Sequence, residues 1–254
     1  LDKLQASVMD VAAQEEIDVA IQPHDLSRRS SRLVVLDVDS TLIRNEVIDL
    51  LGAEAGHRDA VAYLTERAML GEIDYVDALK ERVALLKGAK EDIIERAISK
   101  MILTAGGRTF IRTLKRLGYK VAIISGGFAP FTDHLARELD LDHAYSNTLQ
   151  VVDGVLTGEV EGEIIDADRK ATLLEDIALR EGIPLEQTVA IGDGANDLPM
   201  LKKAGLGIAF NAKPALREAA DTALNVPYLD AILFMLGVSR EEVEAADALD
   251  TNFQ

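Results

Sequence analysis

The chain contains no cysteine, which excludes a disulfide framework, a thiolate metal site and a cysteine nucleophile, and suits a reducing compartment. It has no apolar run approaching the roughly 20 residues needed to cross a bilayer. Its start lacks the charged-then-apolar pattern of a secretory signal. A soluble, cytoplasmic protein is therefore expected. Positive charge is also scarce: 27 Lys and Arg stand against 44 Asp and Glu, for a formal net charge of -17. Such a chain repels nucleic acid and anionic membranes at long range, so neither is expected as a partner. The four histidines, His24, His57, His134 and His143, form no ligand-spaced cluster. There is no internal repeat and no low-complexity tract.

What the sequence does contain is enough apolar residue, 48% over 254 positions, for one substantial core and a smaller accessory module. Residues 1–31 differ from the rest. A helical stretch from Leu4 to Gln14, an alternating strand Ile17–Ile21 and a polar link from His24 to Arg32 look like the end of a preceding module. The first residue is Leu1 and not Met, which points to processing or a fragment.

From Arg32 onward, buried-strand signals recur at Leu33–Leu36, Val121–Ile124, Val189–Ile191 and Leu206–Ala209, separated by helical patterns. That alternation predicts an α/β fold: a Rossmann-like three-layer core with a parallel sheet and ligands at the carboxyl ends of its strands. Residues 45–103 read as helical throughout, a cap inserted after the first core strand. Leu149–Val152 and Val155–Val160 flank Asp153-Gly154 and predict a small β-hairpin insertion. The expected division is a core at 32–44 and 104–237, the cap at 45–103, and a C-terminal helix with an acidic tail at 238–254. Ser239 and Glu242 give that helix a capping-box spacing.

Four segments carry chemistry. In Asp37-Val38-Asp39-Ser40-Thr41, residues two apart on an extended strand face the same side, so both carboxylates meet one pocket if the strand persists through Asp39. Two such acids favour a metal, a shared proton, or both. An ionised Asp needs no base to act as a nucleophile, and a second Asp can protonate a leaving oxygen. Alone, the pair also fits a turn that caps a helix. Gly192-Asp193-Gly194-Ala195-Asn196-Asp197 again follows an apolar strand and offers hard oxygen ligands on a tight turn. Ser125-Gly126-Gly127 supplies a hydroxyl and backbone N–H groups for a phosphate cradle at a helix start. Lys170, at the start of a helix predicted from about Arg169, is either a solvated lysine or the cation that a transferring phosphoryl group needs.

Together and in this order, the four segments resemble the haloacid dehalogenase-like phosphatases, and within them the phosphoserine phosphatases, over about Arg32 to Gly237. The resemblance implies Asp37 as nucleophile, Asp39 as acid and base, and Ser125, Gly126, Gly127, Lys170 and Asn196 around the phosphate. It implies one Mg2+ per site, held by the Asp37 carboxylate, the Asp39 backbone carbonyl, Asp193 and waters, with Asp197 supporting that shell. Glu46 and Arg82 match the positions that receive the ammonium and carboxylate of phosphoserine. Met69 and Tyr75 match the apolar residues that close over it. The family often has Phe where Tyr75 stands and where Val38 stands.

The activity so implied is hydrolysis of O-phospho-L-serine through an aspartyl-phosphate, the last step of serine biosynthesis. Hydrolysis or phosphoryl transfer on another small phosphomonoester is the alternative, and an amino-acid-binding protein without turnover is the non-enzymatic one. The segment from Leu4 to Ile21 resembles the tail of an ACT-type module, which implies amino-acid sensing and a homodimer through the N-terminal region. Gly71, near Met69, is expected to let the cap close.

Overall fold

In the computed structural model, residues 32–69 and 72–248 are described, together with Val8, Val11, Glu15 and 17–19. Leu33–Leu36 forms β1, four apolar residues all buried. It pairs in parallel with β2 (Lys120–Phe128) on one side and β5 (Thr188–Gly192) on the other. A strand covered on both faces needs side chains that are apolar in both directions, which explains the unbroken run. Beyond β5 lie β6 (Leu206–Phe210) and β7 (Thr222–Leu224); beyond β2 lie β3 (His143–Val152) and β4 (Val155–Glu161). The order is β4-β3-β2-β1-β5-β6-β7, parallel except for β3–β4. From β1 the chain runs to β2 on one side and only after β4 crosses to β5 on the other, so a crevice opens at β1's carboxyl end.

Helices cover both faces. Val34, Leu36, Val121 and Ile123 share a core with Phe110, Ile111 and Leu114 of α5 (Gly107–Arg116) and with Phe131 and Leu135 of α6 (Ala129–Leu139). Leu33, Val35, Ala122 and Ile124 face Leu173, Leu174 and Ile177 of α7 (Ala167–Glu181) and Met200 and Leu201 of α8 (Leu198–Lys203). The expected three layers are present.

Between β1 and β2 stands the expected helical cap: α1 (Val47–Glu54), α2 (Arg58–Met69), α3 (Tyr75–Ala84) and α4 (Asp92–Ile98). Its two connections to the core are laced together. Ile43 bridges Leu103, Arg44 N–H donates to the Ile102 carbonyl at 2.8 Å, and Thr104 Oγ1 donates to the Thr41 carbonyl at 2.7 Å. The cap is also tied to the hairpin, through Gly88 N–H to the Leu156 carbonyl, Leu156 N–H to the Ala89 carbonyl and Glu91 N–H to the Gly154 carbonyl, each 2.9 Å. Asp153 and Gly154 both have positive φ, as the hairpin turn requires.

Several expectations need correction. The hairpin's first strand is not separate from the core: it is the outer part of β3, whose first half runs parallel to β2. The mixed sequence His143-Ala144-Tyr145-Ser146-Asn147 hid that half, and β7, three residues long, left no pattern to read. The N-terminal strand expected at Ile17–Ile21 does not form over Ile17–Val19. There the Val19 carbonyl accepts the Thr222 hydroxyl at 2.6 Å, and Asp18 accepts from Asn225, so side chains replace a ladder at the β7 edge. Ala20 and Ile21 lie outside the described residues. So does most of the helix expected from Leu4 to Gln14, of which Val8 and Val11 are described and helical. The short helix α9 (Pro214–Ala219) joins β6 to β7, and after β7 come the short α10 (Ile232–Met235) and then α11 (Arg240–Ala248). The capping box of α11 is formed both ways, Ser239 N–H to Glu242 Oε2 at 2.7 Å and Glu242 N–H to Ser239 Oγ at 3.2 Å. The acidic tail beyond it falls outside the described residues. No helix among them is long and apolar enough to cross a membrane.

Candidate active site

A cavity of about 720 Å³ lies where β1, β2 and β5 end beneath the cap. Asp37 follows β1 directly, and its N–H donates to the Ile191 carbonyl at 2.9 Å, so the sheet's hydrogen bonding fixes its backbone. Asp37 (φ -67, ψ 163) and Asp39 (φ -64, ψ 128) are extended, but Val38 between them opens a helical turn, so the strand does not persist through Asp39 as expected, and Ser40 then turns the chain with φ 58. Both carboxylates nevertheless line the cavity. Ser40 serves more than the turn: its hydroxyl donates to Glu46 Oε1 at 2.7 Å. Next to it, Thr41 Oγ1 donates to Asp193 Oδ1 at 2.9 Å.

Lys170 is fully buried in the first turn of α7 and donates to Asp37 Oδ1 at 2.6 Å and Asp197 Oδ1 at 2.7 Å. Burial alone would pull its ammonium pKa down, yet Asp197 and Asp37 outweigh that and hold it above the ordinary lysine value. Asp197 gives its second oxygen to the Gly194 N–H at 3.0 Å. A Cβ on Gly192 would sit 2.4 Å from the Asp197 carboxyl carbon, so that carboxylate can approach only a glycine.

One ammonium does not balance the acids around it. Burial, then Asp197, push the Asp37 carboxyl up; burial, then Glu46, raise Asp39 to about 8; burial, then Asp197, raise Asp193 to about 6. Oxygens of Asp37, Asp193 and Asp197 lie within 4.8 Å of one another. Buried, hard and short of positive charge, this cluster has the donor set that suits a divalent cation.

Ser125 reaches the site differently from expectation. β2 runs through to Phe128 with a register irregularity after Ile124, so Ser125-Gly126-Gly127 belongs to the strand end and α6 begins only at Ala129. Ser125 is fully buried, its Oγ accepting the Gly127 N–H at 2.8 Å, while Gly126 and Gly127 form the cavity wall. Sequence reasoning passed over Asn147, which is buried in β3. It donates to the Gly126 carbonyl and accepts from the Ile165 N–H, each at 2.8 Å. Its only sequence signal is a polar residue where a strand turns inward.

On the cap side, Glu46, Tyr75 and Arg82 line the cavity, as does Asn196 opposite. Arg82 Nε donates to the Ala78 carbonyl at 3.1 Å, and one terminal nitrogen donates to Thr65 Oγ1 at 3.3 Å. Burial raises the Glu46 carboxyl pKa, and the Ser40 hydrogen bond opposes the rise. Met69 ends α2, but its side chain lies outside what is described, and Gly71 is outside altogether.

A haloacid dehalogenase-like hydrolase family profile matches residues 34–202. The chain belongs to that family. It is 55% identical over 248 residues to a phosphoserine phosphatase of Streptomyces coelicolor, covering 98% of this chain and 60% of the relative. Against a solved phospho-aspartyl intermediate analogue of a phosphoserine phosphatase it has a TM-score of 0.77 at 46% identity, covering 81% of this chain and 99% of that one. A substrate-bound phosphoserine phosphatase complex also gives 0.77, at 45% identity, covering 81% and 98%. The chain spans about 60% of the length of the first curated relatives that it matches.

Proposed function

We propose that the chain hydrolyses O-phospho-L-serine to L-serine and phosphate with Mg2+ bound, through an aspartyl-phosphate on Asp37. The observation that carries the reading is the pairing, in one cavity, of the buried Asp37–Lys170–Asp197 group with Glu46 and Arg82 on the cap. The phospho-aspartyl analogue structure of a relative supports the intermediate.

Asp37 attacks phosphorus while Lys170 holds its Oδ1 and fixes its direction. The phosphoryl oxygens meet the N–H of Gly126 and the side chain of Asn196, with Ser125, whose Oγ holds the Gly127 N–H, behind. Asp39, held neutral up to about pH 8, donates its proton to the serine oxygen as the P–O bond breaks. The resulting Asp39 carboxylate then takes a proton from the water that opens the aspartyl-phosphate. The Asp37 and Asp193 carboxylates and the Asp39 carbonyl would hold Mg2+, which when bound would supply positive charge against the repulsion between carboxylate and phosphate. Asp197, both of whose oxygens already accept hydrogen bonds, supports that shell. Arg82 receives the substrate carboxylate and Glu46 the ammonium. Helices α1–α4 thus act as a specificity cap over a core at 32–44 and 104–237.

The test is phosphate release from L-phosphoserine with and without Mg2+, beside an aryl phosphate and Arg82→Ala. Mg2+-dependent turnover of phosphoserine, cut at least about a hundredfold in Arg82→Ala while the aryl phosphate is little affected, supports the reading. Turnover of the aryl phosphate alone sinks the substrate assignment.

A further inference from the structure

The cap's third helix is fastened to the core at both ends. Past its C-terminal end, Gly88 and Ala89 bond to Leu156 of the hairpin. At its N-terminal end, the Tyr75 hydroxyl donates across the cavity to the Ile165 carbonyl at 3.4 Å. That acceptor is itself fixed, because the Ile165 N–H donates to Asn147 Oδ1 and Asn147 Nδ2 holds the Gly126 carbonyl, each at 2.8 Å. The tyrosine also rests on Gly126: a Cβ built there would fall 2.0 Å from the phenol oxygen. Tyr75, Ile165, Asn147 and Gly126 therefore close a ring that joins the first turn of α3 to the phosphate cradle. A phenylalanine would fill the same space and leave the ring open.

We propose that Tyr75 is a positioning residue whose hydroxyl latches the N-terminal end of α3 over Gly126, so that cap closure and cradle geometry are set together through Asn147. This deepens the phosphoserine reading and rests on it for the kinetic arm of its test. The latch holds the walls of the substrate cavity and takes no part in proton transfer. Its loss therefore costs binding more than chemistry, by a factor set by one neutral hydrogen bond.

The experiment compares the unmodified chain with Tyr75→Phe, which keeps the ring and so the fold. Expected is a rise in KM for phosphoserine of about three- to tenfold with kcat within about twofold, and unchanged pH dependence. Amide hydrogen exchange, measured with and without Mg2+ and inorganic phosphate, should quicken at residues 75–79 and stay unchanged at 84–89, where the hairpin holds. Unchanged KM together with unchanged exchange overturns the latch, as does exchange that quickens equally along the whole of α3. If the unmodified chain does not hydrolyse phosphoserine, the substrate reading fails, and the exchange pattern alone still decides for or against the latch.

Discussion

At the scale of single residues, this site depends as much on side chains that hold other side chains as on those that meet substrate. Ser40 adopts φ 58 and directs its hydroxyl to Glu46. Ser40→Ala is expected to raise KM for phosphoserine about tenfold, the size of a hydrogen bond to a charged group, with aryl phosphate turnover little changed. Equal losses on both substrates would show that Ser40 shapes the Asp37 loop instead. Thr41 plays the same part for Asp193. Thr41→Val should weaken Mg2+ binding about tenfold by titration calorimetry, and unaltered affinity would argue against that role.

Asp39 adds a pH dependence whose sign is fixed by its environment. Its carboxyl is held neutral up to about pH 8 in the folded chain against an ordinary value of 3.8, so between these the folded state binds more protons than the unfolded one. Stability through this group is greatest below about pH 4 and declines as pH rises toward 8. Melting curves without metal should show Asp39→Asn gaining on the unmodified chain across that window. A constant gap would contradict the shift.

At the scale of elements, the strands that the sequence announces are those buried on both faces. Leu33–Leu36 and Leu206–Phe210 show unbroken apolar runs because helices cover both sides of a parallel sheet. The strands it conceals are at or near the edges. β3 carries Asn147 inward and polar residues beside it, and β7 is too short to show a period. Three of the four chemical segments were legible because each sits at a strand end where geometry demands glycine or acid. Asn147 and Thr65, which hold Gly126 and Arg82 in place, were not, since a lone polar residue inside an element carries no periodic signature. Lys170 was placed correctly along the chain, but nothing local says that it is buried between two acids; that follows only from the packing of α7 on β1 and α8.

The hairpin makes a prediction of its own. Gly158 has φ 84, and a Cβ there would stand 2.9 Å from the Lys87 Cβ. Gly158→Ala is expected to destabilise the chain by about 1–3 kcal/mol in urea unfolding and to loosen α3 from β4. An unchanged midpoint would mean that the hairpin does not brace the cap.

At the scale of the whole molecule, a net charge of -17 surrounds a site proposed to admit an anion. On that reading, approach of a phosphate dianion runs against the long-range field and is favoured only close to Lys170, Arg82 and a bound cation. Screening that field is expected to raise kcat/KM for phosphoserine about twofold between 0.05 and 0.5 M salt, at saturating Mg2+. A steep fall would instead mean that local positive charge governs the encounter.

The group Asp37–Lys170–Asp197 also has a temporal meaning. Asp37 and Lys170 are separated by 133 residues and Lys170 and Asp197 by a further 27. A chain emerging from the ribosome can complete β1 and the entire cap long before the partners of Asp37 exist. Until α7 and the loop after β5 have been made and docked, Asp37 is a carboxylate without its cation. Formation of this group during synthesis therefore marks the closing of β2 and β5 around β1, while β6 and β7 are still to come.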